Sequence, residues 1–97
     1  MARARLQHAN PWHPPSYTDA EVYAVQALAR GEANEHQQRM ALDYILNAVC
    51  EYDALSFRPG GAEGSRATDF AEGKRFVAAQ VYKLIRINPA ELQRKKA

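Results

Sequence analysis

Four times in 97 residues the chain spells the start of a helix. Thr18-Asp19-Ala20-Glu21 has the form of a capping box: the hydroxyl accepts from a backbone N–H three residues on, and the carboxylate reaches back. Asn34-Glu35-His36-Gln37 repeats the pattern with amides, and Asp69-Phe70-Ala71-Glu72 with two carboxylates. Asn88-Pro89-Ala90-Glu91 adds a proline at the favoured first helical position. These starts commit the chain to helices before its core is considered.

Apolar spacing extends each start. Val22, Val25, Leu28 and Ala29 recur at helical intervals, and Gly31 behind Arg30 offers a left-handed stop, giving a helix over about 19–30. In the second segment Ala41, Leu42, Tyr44, Ile45, Ala48, Val49 and Tyr52 share one wide arc, with Asp43, Asn47 and Glu51 opposite. That predicts a helix over about 35–53 with neighbours on two sides. The third helix, about 69–87, turns Phe70, Phe76, Val77, Val81, Leu84 and Ile85 toward the core. Gly73 sits within it at a cost of about 1 kcal/mol relative to alanine, which suggests close approach of a neighbouring backbone. The other reading is a helix that begins only after Gly73. No segment alternates as a strand does. The fold class is all-α: three main helices and a short C-terminal one.

Two stretches fall outside the helices. Residues 1–17 carry Pro11, Pro14 and Pro15 and no apolar period, so an extended arm is expected, with Trp12 as its one large side chain. Residues 56–67, with Pro59, Gly60, Gly61 and Gly64, read as a loop long enough to suspect a role beyond connection. Residues 18–97 then form a single helical domain. At this length, with 46% hydrophobic residues, the chain can build one small core and not two.

The net charge of +2 conceals a separation. Residues 1–57 carry four basic and seven acidic side chains, and residues 58–97 carry nine and four. On the third helix Arg75, Tyr82, Lys83 and Arg86 fall within an arc of about 100°, with Lys74 at its margin. Arg94, Lys95 and Lys96 follow in the basic tail. This stripe offers a surface for phosphates, with Tyr82 placed to stack on a base, or for an acidic protein partner. The acidic half of a second copy would be such a partner. The plainer reading is an ordinary solvated helix face.

No catalytic constellation emerges. His8, His13 and His36 lack metal-ligand spacing, and Cys50 has no second cysteine. Cys50 also lies late in its helix, where the dipole disfavours a thiolate. The glycine-rich loop lacks both the Gly-Lys-Ser/Thr of a phosphate-binding loop and a preceding strand. The first two helices could pose as a helix-turn-helix, but Glu35, Asp43 and Glu51 on the second would repel phosphates. No cofactor, metal or small-molecule substrate is expected, and no apolar run is long enough to cross a bilayer. With no signal peptide discernible and a single cysteine, the expected setting is the cytoplasm.

Two groups of residues carry a resemblance. One is Pro11-Trp12-His13-Pro14-Pro15-Ser16-Tyr17-Thr18, with Ala27-Leu28-Ala29-Arg30-Gly31-Glu32-Ala33 and Ala41-Leu42-Asp43-Tyr44-Ile45. The other is Ser56-Phe57-Arg58-Pro59-Gly60-Gly61 with Asp69-Phe70-Ala71-Glu72-Gly73-Lys74-Arg75-Phe76-Val77. The texture resembles small helical proteins of tailed bacteriophages encoded near head and DNA-packaging genes. The resemblance implies a non-enzymatic accessory protein of the host cytoplasm or the virion, and it assigns no residue a role. From the residues themselves, the proline-stiffened arm is the expected protein interface, with Trp12, Pro14, Pro15 and Tyr17 meeting a phage or host protein. The alternatives are a nucleic-acid-binding packaging subunit or regulator using Lys74, Arg75, Tyr82, Lys83 and Arg86, or an inhibitor of a host enzyme or defence complex.

Overall fold

The computed structural model describes residues 11–96, and all of the regular structure in them is helical. The elements are α1 (Asp19–Ala29), α2 (Glu35–Asp43), a π-helical segment (Tyr44–Val49) continuing α2, α3 (Gly61–Arg86) and α4 (Pro89–Lys96). The first ten residues of the arm, with His8, lie outside the described residues, as do the side chains of 93–96.

The capping boxes of the first two helices form as the sequence spells them. The Thr18 N–H donates to Glu21 Oε1 at 2.9 Å and the Glu21 N–H to Thr18 Oγ1 at 3.2 Å. At α2 the Gln37 N–H donates to Asn34 Oδ1 at 2.8 Å and the Asn34 N–H to Gln37 Oε1 at 3.1 Å. Gly31, at φ +73°, turns the chain between them. Ala24, Ala27 and Ala41 are buried in this hairpin. Asn88 starts α4, its Oδ1 accepting from the Ala90 N–H at 3.0 Å.

The second helix departs from the expected continuous run to residue 53. From Tyr44 it widens, and the Cys50 N–H donates to the Ile45 carbonyl five residues back at 3.0 Å. Each wide turn holds more residues, so the face that meets the core rotates. Leu46, which α-helical spacing puts outside the apolar arc, becomes a fully buried side chain. Ile45 and Val49, which that spacing puts inside, are exposed, as is Leu42 ahead of the widening. Glu51, at φ +51°, marks where helical winding has ended.

The third helix begins eight residues earlier than its cap-like Asp69 suggests. Gly60 and Gly61, at φ +115° and +65°, make a left-handed turn that ordinary side chains resist, and the helix starts at Gly61. Its first turns are held by the segment before it. The Arg58 N–H donates to Thr68 Oγ1 at 2.7 Å, and that hydroxyl donates to the Gly64 carbonyl at 2.9 Å. Buried Arg58 gathers its own turn, Nη1 donating to the carbonyls of Leu55, Ser56 and Phe57. A Cβ on Gly64 would lie 2.5 Å from the Pro59 carbonyl group, so only glycine admits this approach. Residues 61–67, expected as loop, are helix because this strap packs on them and buries Gly64 and Ala67.

The phase of α3 is also different from expectation. The side that packs is lined by Gly64, Ala67, Ala71 and Ala78. Phe70, Phe76, Val77, Leu84 and Ile85, expected in the core, are between 46% and 71% exposed. Ala78 joins Leu46 and Cys50 in a core cluster, with Tyr52, Val81 and Tyr82 packed against it. Small residues let the backbone of α3 approach the π-helical segment, and the large side chains are carried round to the outside. Gly73, where close approach was expected, has no atom of the described residues beyond its own helical turn within 4 Å of the place its Cβ would occupy. The radius of gyration, 16.1 Å, exceeds the roughly 13 Å of a compact domain of this length.

Candidate interaction surface

The basic stripe anticipated as a binding face is largely spent on holding the molecule together. Lys74 Nζ donates to both the Pro11 carbonyl and the Glu51 carboxylate, and these two charged side chains are only 18% and 14% exposed. Arg75 Nε donates to the Tyr52 carbonyl at 2.8 Å, with its guanidinium 5.0 Å from the Tyr52 ring centre. The Tyr82 ring stands 4.7 Å from that of Tyr52, and the Arg86 guanidinium lies 4.8 Å above Tyr82. Asn47 Nδ2 reaches the Tyr82 hydroxyl at 3.4 Å, a long contact. The two tyrosine rings thus meet each other, each with an arginine against it, and the row ties α3 to the end of the second helix. Of the five residues only Lys83 is exposed without an ion pair or ring contact among the described residues.

The arm divides at Trp12. Pro11 is fully buried, and its carbonyl takes the Lys74 hydrogen bond. Trp12 meets Phe70 edge to face at 5.8 Å and 81°, yet remains 45% exposed. Pro14 and Tyr17 face outward, and Pro15 is half-buried. Arm and helix therefore form one apolar surface: Trp12 beside Phe70, then Val77 and Leu84 at seven-residue intervals along α3, with Phe76 alongside. Helical spacing groups Phe70, Val77 and Leu84 on one face, expected to meet the core, and that face turns outward. The signal that it faces out is the competing alanine face, which apolar periodicity underweights.

Chemistry that would suggest catalysis is sparse. Burial raises the Cys50 thiol above its ordinary pKa, with the Lys74 ammonium pulling in the opposite direction. His13 and His36 are exposed on separate elements, and no group of His, Cys, Asp or Glu able to hold a metal ion occurs among the described residues. Nor is any described helix long and apolar enough to cross a membrane. The chain matches no protein-family model, no curated protein and no solved structure.

Proposed function

We propose that this chain is a non-enzymatic assembly component that works through protein–protein contacts, in keeping with the tailed-phage accessory proteins its sequence resembles, in the virion or the packaging machinery. One observation carries the reading. The interior is made mostly of alanine with Leu46 and Pro11, while Trp12, Phe70, Phe76, Val77 and Leu84 gather on one outer surface. Scattered exposed apolar side chains are ordinary on a soluble protein; a contiguous aromatic and aliphatic strip marks an interface. Trp12 suits the role of anchor, because a proline-stiffened arm loses little freedom on docking.

The nucleic-acid reading is weaker, because Lys74, Arg75, Tyr82 and Arg86 already have partners within the chain. The deciding experiment is affinity recovery of the tagged chain from phage-infected cells, with and without nuclease. A protein complex that survives nuclease and is weakened by Trp12→Ala is the expected result. Recovery of nucleic acid alone, lost with nuclease and with added salt, would overturn the reading in favour of the basic surface.

A further inference from the structure

We propose that the outer face of α3 pairs with α3 of a second copy of the chain, antiparallel, about a two-fold axis near Phe76. The inference deepens the assembly reading by naming one occupant of the apolar strip. Phe70, Val77 and Leu84 recur every seven residues, the repeat that keeps a seam facing a partner helix. Gly73 and Gln80 fill the alternate seam positions, both exposed. In an antiparallel pair centred near Phe76, Val77 of each copy lies against Gly73 of the other. Phe70 lies against Gln80, and the two Phe76 rings meet at the axis.

Three observations favour this occupant. Gly73 lies within an α-helix, where glycine is disfavoured, and beyond its own helical turn no atom of the described residues comes within 4 Å of a Cβ there. Nothing among the described residues accounts for it, and the close approach of a second helix does. Next, the residues flanking the seam on one side are Asp69, Phe76 and Lys83, again seven apart. Antiparallel pairing sets Asp69 of each copy beside Lys83 of the other, so opposite charges meet twice. Parallel pairing would instead face Asp69 with Lys74 of the other copy, whose ammonium is already held by Glu51 and Pro11 of its own chain, and would set Lys83 beside Asn88, with no acidic neighbour. Last, Asp69 and Lys83 are both exposed, and neither is engaged in an ion pair among the described residues.

The geometry is tested by cross-linking in the full-length chain. Phe76→Cys places two thiols at the axis, whereas the two positions 84 lie about 24 Å apart along the helices. Under mild oxidation Phe76→Cys forms a covalent dimer and Leu84→Cys does not, with the wild-type chain and its buried Cys50 as control. Cross-linking of Leu84→Cys, or of neither variant, overturns the proposal. Charge exchange provides a second arm by sedimentation equilibrium. Asp69→Lys and Lys83→Asp each weaken the dimer about tenfold, and the double exchange restores it. Failure of the double exchange to restore association also overturns it. A chain that stays monomeric yet recovers a nuclease-resistant protein partner through Trp12 would end this proposal and leave the assembly reading intact.

Discussion

Arg75 of α3 grips Tyr52 twice, donating from Nε to its carbonyl at 2.8 Å and lying 5.0 Å from its ring centre. One side chain thereby satisfies a carbonyl just past the end of the π-helical segment and covers an aromatic face. A residue that belongs by composition to a solvated stripe is thus a strut.

Loss of that strut has a measurable cost. Arg75→Ala lowers unfolding stability by about 1–2 kcal/mol, the worth of a charge-assisted hydrogen bond with a partly exposed cation–π contact. Arg75→Lys recovers little, because an ammonium cannot lie flat on Tyr52 while donating in the plane of the ring system. Urea titration followed by circular dichroism reads both changes. Equal stability of Arg75→Lys and the wild type would contradict the stacking account.

Lys74 and Glu51 form the more enclosed pair. Lys74→Met leaves the Glu51 carboxylate with little solvent and no cation, and it frees the Pro11 carbonyl. The expected loss is about 2 kcal/mol, below the cost of breaking a fully buried pair because some solvent still reaches both groups. Adding Glu51→Gln recovers part of it. Trp12, the only tryptophan, follows Pro11 along the arm, so Lys74→Met shifts its fluorescence to longer wavelength. An unchanged spectrum would mean that Lys74 does not hold the arm.

The helix starts at Thr18 and Asn34 were legible because each cap is a local contract between residues three apart. What escaped the sequence depends on neighbours. Leu46 reaches the core within the segment where the helix has widened from Tyr44, and no apolar pattern announces a change of winding. Residues 61–67 look like a loop by glycine content, but Gly64 is there to let Pro59 come close. On α3 two faces were available, and the large side chains of Phe70, Val77 and Leu84 outweighed the small ones of Ala67, Ala71 and Ala78 in any count of hydrophobicity. Packing chose the alanines. The same turn of the helix brings Lys74, Arg75 and Tyr82 inward and leaves Lys83 and Arg86 exposed.

The two interior glycines of α3 predict opposite responses. Gly64→Ala drives a Cβ into the Pro59 and Arg58 carbonyls, and costs about 2–3 kcal/mol through displacement of the strap. Gly73→Ala meets no other atom among the described residues and gains up to about 1 kcal/mol of helix stability. Thermal unfolding in dilute solution compares them directly. A stable Gly64→Ala would show that the strap does not pack on the first turns of α3.

Cys50 gives the alkaline limit a direction. Burial raises its pKa in the folded chain, so folding favours the protonated thiol. Its contribution to stability is fully present below the unfolded thiol's pKa and is lost as pH rises past about 9. Cys50→Ala flattens that part of the pH–stability curve, and the native thiol reacts with a disulfide reagent at pH 8 far more slowly than the unfolded one. Rapid native labelling would contradict the enclosed position.

Val77 separates the core and interface readings of α3 most directly. It is 55% exposed and lies at the middle of the apolar strip. The measurement is circular dichroism and sedimentation equilibrium on Val77→Asp beside the wild type, both as full-length chains. The expected variant keeps its helical spectrum and loses association, while the wild type self-associates. A variant that unfolds, as a buried carboxylate in a core would force it to, or one that associates like the wild type, would contradict the interface reading.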